Sequence, residues 1–568
     1  MASAPPAHGP RPVSLPLLLH RTSRLPDGHC GSGTNQRRPR GVLADTTRGQ
    51  LLEEVEERDL FLRSLDVDRD WFRYHHLFAE FLRRRLERDA PEQLARLHRK
   101  ASDWFADHHA LGEAVDHALA AGNDDRAVDL IESHAMSLIE SSKMGTVLAL
   151  VAKLPASLAQ DRARLQMIVG WANVLLHRLE PMQAALTRVG AALDEHTLTE
   201  AQAIDLRVEA AVIADVGRCH ADVIDGPGEQ VRECLKRPDT LPPFVVAAAA
   251  DVTSFADIRS FEFDAARRRQ DWARRYHQQT RGPHFGMIGH CFAGIAANEL
   301  LDITAAEGHF RAAWNLAVAS VGVHSYAAQL SGALLGDLLY QQGTIDEAER
   351  LLDASYRLGA EGGVVDFMLA SYGTGARIKV LRGDMPAAVR RLDEGADTAR
   401  KLSLPRLAAR IDNERIRCGV EPGIEFRTRT GKSVSEHHPS EIGTRTTELD
   451  EDSQIRMLLT AHAYDQACAR VEAVVRALET ARRPRVLLEA RMLHARCLAA
   501  AGRVADAKQV LIPVAADCAE YGLPRLVADG GEPVTGLLTD IADDQRHGRW
   551  QPEWPSIPAP FLAQTCPS

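Results

Sequence analysis

WFRYHHLFAEFLRRRL at residues 71–86 and LHRKASDWFADHHALGEAVDHALAAGNDDRAVDLIESHA at residues 97–135 set the reading of everything around them. Trp71-Phe72-Arg73-Tyr74 has the composition of a strand tip. It enters a helix on which Leu77, Phe78, Phe81 and Leu82 make an apolar stripe and Arg83, Arg84, Arg85 and Arg88 the polar side. The pattern predicts a buried helix with a wet back. Antiparallel helices follow, with Ala121-Gly122-Asn123 as the turn between two of them.

That turn recurs. AAGNDDRAVDLI around Gly122, QQGTIDEAERLL around Gly343, LRGDMPAAVRRL around Gly383 and AAGRVADAKQVL around Gly502 each place alanine five residues after glycine, at Ala127, Ala348, Ala388 and Ala507. Glycine can end a helix in the left-handed conformation, and a small residue one turn later lets the next helix pack close. Gly343 and Gly383 are 40 residues apart, as are His462, with Ala467 after it, and Gly502. This period, longer than the roughly 34 of a standard tetratricopeptide repeat, predicts helix pairs stacked as a superhelix. Leu179–Ala184 and Phe261–Ala266 read as weaker copies without the glycine.

Outward from this array the composition changes. Residues 1–47 are rich in Pro, Arg, Gly and Ser without periodicity, which predicts disorder. Residues 48–110 should hold a short helix at Gln50–Glu54, a β-hairpin from Leu60–Leu65 and Trp71–Tyr74 across the Asp66–Asp70 run, and helical linker. Residues 111–418 and 454–530 read as helix pairs. Between them, 419–453 reads as a flexible insertion, with helical pattern resuming at Ile455, and 531–568 as a C-terminal tail.

Tyr74-His75-His76-Leu77-Phe78, Phe81-Leu82, Leu97-His98, Ala101, Trp104, Glu113-Ala114 and His117 through Gly122 resemble, in order, the region after the NTPase module of MalT-like regulators, the ATP-dependent LuxR-type transcription activators. Leu523 to Gly531 resembles the last stretch before that family's helix-turn-helix. The resemblance implies a partial winged helix followed by a tetratricopeptide-like sensor array, from a chain truncated at its start. Bacterial serine/threonine kinases of the PknK type carry a similar region after the kinase domain, and the WQPEWP stretch at 550–555 is compatible with that second parentage.

The rest of the sequence favours binding over catalysis. Its 568 residues exceed one core, and 5% aromatics with abundant Ala and Leu favour helices. A net charge of −10 argues against a nucleic-acid wrapper. Nine cysteines show no paired spacing, which suits buried thiols in a reducing cytoplasm. No run approaches the roughly 18 apolar residues of a membrane helix.

Thr430-Gly431-Lys432-Ser433 ends like a phosphate loop, but Phe426 stands where its first glycine belongs. Gly31-Ser32-Gly33 has Gln36 in place of the third glycine. Asp66, Asp68 and Asp70 begin like a calcium loop, which Trp71 and Leu77 then break. His75, His76, His98, His108, His109 and His117 crowd together without a metal-binding spacing, so His75 and His76 are expected to cap or pack at the strand-to-helix junction. Arg83–Arg85, Arg267–Arg269 and Arg274-Arg275 are expected to be solvated faces offset by acids.

No catalytic, cofactor or metal residue is assigned. Groove residues stay unnamed, because sequence does not say which helix of each pair faces inward. The expectation is a non-enzymatic sensor of the MalT-like LuxR type that lacks NTPase and DNA-binding modules and needs no cofactor. Its partner would be a small-molecule inducer or a regulatory protein in the superhelix groove, or a full-length relative, with no direct DNA or membrane binding. The kinase-regulatory reading is the alternative, with a metal-dependent enzyme third.

Overall fold

A computed structural model describes residues 18–20, 56–58, 61–64, 71–194, 199–223, 226–423, 426 and 441–565. The chain divides into two compact units, Met1–Ala127 and Val128–Ser568.

The first unit contains three short antiparallel strands, β1 (Leu18–His20), β2 (Leu62–Ser64) and β3 (Trp71–Tyr74), in the order β1-β3-β2. Leu62 lies opposite Tyr74, and Leu18 opposite Arg73. The β2–β3 pair is the expected hairpin. Within residues 1–47 only β1 is among the described residues, and its three residues depart from the expected disorder by pairing on the second edge of β3, where backbone groups await a partner and periodicity is not needed.

Helices His76–Asp89, Pro91–Asp107 and Leu111–Ala120 follow. The apolar stripe of the first is not buried as a whole. Ala79 is buried and Phe78 and Leu82 partly so, whereas Leu77 is 67% and Phe81 55% exposed. A stripe that wide needs neighbours on two sides. Among the described residues the helix packs on Pro91–Asp107 and, through Phe78, on the Phe61 ring at 5.1 Å.

The second unit is a stack of helix pairs. His284–Glu299 pairs with Ile303–Val321, Tyr326–Gln341 with Ile345–Tyr356, and Pro484–Ala500 with Val504–Tyr521, the first two pairs packing together through Ile303–Val321 and Tyr326–Gln341. The turns behave as the phrases predict. Gly343, Gly383 and Gly502 have φ of 85°, 80° and 74°, and Ala348, Ala388 and Ala507 are wholly buried. Gly122 in the first unit does the same at φ 68°.

Non-glycine residues hold the other turns. Phe261, Leu301 and His462 are left-handed at φ 61°, 61° and 58°, and Ala266, Ala306 and Ala467 are wholly buried. The weak copy near Leu179 is displaced: the left-handed residue is His177 at φ 57°, and Met182 takes the buried position five residues on.

Close approach elsewhere is by omission of a side chain. A Cβ on Gly294 would lie 2.4 Å from the Phe310 ring, so the glycine makes the socket for that ring.

Two segments differ from expectation. The helix Glu441–Thr460 begins well before Ile455; its low apolar content disguised it, because its inner face is charged. Within 531–568, the helix Glu532–Arg546 buries Val534, Leu537, Leu538 and Ile541, and Ala559–Thr565 buries Phe561 and Leu562. The expected helix at Gln50–Glu54, the Asp66–Asp70 run, Gly31–Gly33 and Thr430–Ser433 lie outside the described residues. The architecture is all-α, a tetratricopeptide-like helix-pair array with a small β-sheet near the N-terminus. Among the described residues no helix is long and apolar enough to cross a membrane.

Candidate functional site: a charged lumen between the inner helices

Tyr326–Gln341, the run from Val365 to Leu381, Pro405–Arg417, Glu441–Thr460 and Pro484–Ala500 together line a cavity of about 330 Å³. The first helices of the later pairs supply most of the cavity wall, with Phe310 and the Val471, Val474 and Leu478 positions of Tyr464–Thr480 added from second helices. Helical spacing puts the charges there. Arg406, Arg410, Asn413 and Arg417 fall on one face of their helix, as do Glu448, Asp452 and Arg456 on theirs. The Val365–Leu381 run opens into a π turn at Leu369–Thr374, whose Leu369, Ala370 and Thr374 reach the cavity.

Residues far apart in sequence meet across this space. The Tyr340 hydroxyl donates to Asp529 Oδ2 at 2.8 Å. Arg485 Nη2 donates to Gln341 Oε1 at 2.5 Å, and Arg445 Nη1 to Glu299 Oε1 at 3.0 Å. Arg406, almost wholly buried, is held by Asp222 at 2.9 Å and Asp366 at 2.8 Å.

Three carboxylates at or beside the cavity are each taken by an arginine, while Asp337 accepts from Gln341 and Thr374. Arg377 grips Glu414 with two bonds of 2.5 Å, Arg456 grips Asp452 at 2.6 and 3.1 Å, and Arg485 donates to Glu489 at 2.9 Å. Burial pushes the Glu414 carboxyl up, but Arg377 and Arg410 outweigh it and hold the group at about 2. Asp452 is held low by Arg456 and Arg417 against the same burial.

Other arginines are less well served. Arg417 donates from Nε to Asn413 at 2.9 Å but reaches Asp452 only at 3.7 Å, and burial together with Arg377 and Arg456 lowers it to about 9. Arg496 lines the cavity with neither hydrogen bond nor ion pair among the described residues, lowered by burial and by Arg456. Arg485 Nη1 and two nitrogens of Arg445 are buried without a partner.

A second, apolar cavity of about 50 Å³ lies among Cys219, His220, His284 and Tyr326. Burial lowers His177 and His284 to about 4 and His220 well below its ordinary value. These imidazoles are neutral at neutral pH.

The histidines singled out in sequence do not converge. His98 and His117 meet Nδ1 to Nδ1 at 2.8 Å, while His108 bonds the Trp104 carbonyl at 2.7 Å and stacks on that ring. His75 occupies the N-cap position of its helix, but its side chain makes no cap bond and is exposed. Among the described residues no group of His, Cys, Asp and Glu could hold a metal ion. The basic runs are paired by acids: Arg83 and Arg84 with Glu80, Arg267 with Asp302, and Arg269 with Asp257.

The lumen arginines were missed. Their signal is the spacing of Arg406, Arg410 and Arg417, which reads as a solvated face unless the inward helix is known.

Two family models match: the MalT winged helix domain over residues 39–94 and the MalT-like TPR region over residues 302–544. The serine/threonine-protein kinase PknK of Mycobacterium tuberculosis is 47% identical over 493 residues, 86% of this chain and 44% of that protein. The HTH-type transcriptional regulator MalT of Klebsiella pneumoniae is 31% identical over 183 residues, 32% of this chain and 19% of that protein. The chain therefore spans less than half the length of these relatives. A solved structure of Rap protein complexed with competence and sporulation factor covers 67% of this chain and 99% of its own at 11% identity, with a TM-score of 0.40, too loose a likeness to carry an argument.

Proposed function

From the premise that this chain is MalT-like, a MalT-type winged helix and a MalT-like TPR region on one polypeptide, we propose that it is a regulatory binding region rather than a catalyst, of the kind carried by PknK. The observation that carries the choice of parentage is the 47% identity sustained over 493 residues, against 31% over 183 for a MalT regulator. The lumen supports the binding part: it is large enough for a small ligand, and its charges are fixed on rigid helices. Occupancy would act through the cross-lumen bonds, because a ligand bridging inner helices changes the equilibrium between open and closed stacking.

The test adds the full chain to purified PknK of Mycobacterium tuberculosis and follows capture and phosphorylation of a generic substrate protein. Competition with the kinase's own related region predicts capture and a changed rate. No capture and an unchanged rate, with binding instead to a full-length MalT regulator, overturns this reading in favour of a transcription-regulator parentage.

A further inference from the structure

Among the described residues, nine arginines line the cavity against seven carboxylates, of which Asp337 is taken by Gln341 and Thr374. Glu414, Asp452 and Glu489 are each committed to an arginine of their own, Arg377, Arg456 and Arg485. Arg410 then shares Glu414, Arg417 stands 3.7 Å from Asp452, and Arg496 has no partner among the described residues. Buried guanidinium groups are kept only where acceptors meet their donors, and here the Nη1 of Arg485, on a cavity-lining side chain only 7% exposed, is buried with none. The chain has ordered these cations on two inner helices, Pro405–Arg417 and Pro484–Ala500, with Glu441–Thr460 packed against both.

We infer that the lumen binds a small anion of two or three negative charges, carrying carboxylate or phosphate groups, held by Arg410, Arg417, Arg496 and the free Nη1 of Arg485. This rests on the regulatory reading above and names its ligand class. Planar guanidinium groups match carboxylate and phosphate oxygens two bonds at a time, which a neutral sugar or an amine would not use. The volume of about 330 Å³ suits a metabolite-sized molecule and is too small for a folded segment. Leu449, Val474 and Leu493 along the same wall would pack its carbon body. The lowered Arg417 and Arg496 fit this picture, since each cation is disfavoured first by burial and then by neighbouring cations, which an anion would relieve.

The test uses the full chain with citrate, inorganic pyrophosphate and a neutral trisaccharide as probes, read by calorimetry and by the thermal midpoint. Either anion should bind one per chain and raise the midpoint by mass action, and the trisaccharide should not. Arg496→Gln and Arg417→Gln should each weaken anion binding by roughly tenfold or more, and Arg496→Gln, which breaks no bond among the described residues, should leave the midpoint without anion unchanged or higher, which a merely structural arginine would not do. Binding of citrate but not pyrophosphate assigns the ligand to the carboxylates, and the reverse to the phosphates. No anion binding, or binding that both variants retain, overturns the proposal. The PknK capture assay on the same preparations separates the two readings: capture without anion binding leaves the regulatory role standing and removes only the ligand class.

Discussion

Tyr340 and Asp529, 189 positions apart, are joined by a 2.8 Å hydrogen bond across the lumen, and Arg525 bonds both. The contact ties the inner helix of a middle repeat to the end of the short helix Pro524–Ala528, late in the array. Tyr340→Phe keeps the ring and removes the bond, leaving Asp529 to Arg525 and Arg377. Loss of one buried, charge-assisted bond should cost about 1–3 kcal/mol in urea unfolding; an unchanged midpoint would mean that the tie does not form in solution.

Glu414 is wholly buried beneath two arginines. Glu414→Gln removes one partner of a buried pair and strands Arg377 and Arg410, so the expected cost is about 3–5 kcal/mol by the same measurement. The carboxyl is held at about 2. Its stabilisation is therefore complete above its unfolded value and lost as pH falls from there through about 2.

His177 and His284 give the opposite chemistry and a higher window. Their folded values of about 4 lie below that of free histidine. As pH drops below about 6.5 the unfolded chain takes up protons that the folded chain refuses, so stability falls with pH until about 4 and then levels. Between pH 7.5 and 5 each should contribute on the order of 2 kcal/mol of lost stability. His284→Phe should flatten this slope, and an unaltered slope would locate the pH response elsewhere.

Ala348 has no room beyond its methyl. Ala348→Leu forces extra volume between Tyr326–Gln341 and Ile345–Tyr356 and should cost about 1–3 kcal/mol. Gly308→Ala is the control: nothing lies within 4 Å of the added Cβ, and a helical alanine should stabilise by up to about 1 kcal/mol.

The pairs of helices were legible because a left-handed turn and a small residue one turn later are local demands, visible wherever glycine and alanine meet them. Where Phe261 or His177 takes the strained turn the signal fades, and at His177 it was read two residues late. Burial was harder. Leu77 and Phe81 announce a buried face that their neighbours do not cover, since a helix's periodicity does not show how many elements pack on it. The lumen was hardest of all. Arg417, Arg456 and Arg496 carry the pattern of a wet surface, and only the stacking of the repeats turns that surface inward.

Stacked repeats ordinarily lose their ends first, since each touches only its neighbours. Here Arg485 clasps Gln341, and Asp529 clasps Tyr340, so the tail of the array is pinned to its waist. Glu532–Arg546 and Ala559–Thr565, beyond Asp529, can fray freely, but Pro484–Ala500 and Val504–Tyr521 cannot peel away until the clasps break, and hydrogen exchange in those two helices should be as slow as in the centre.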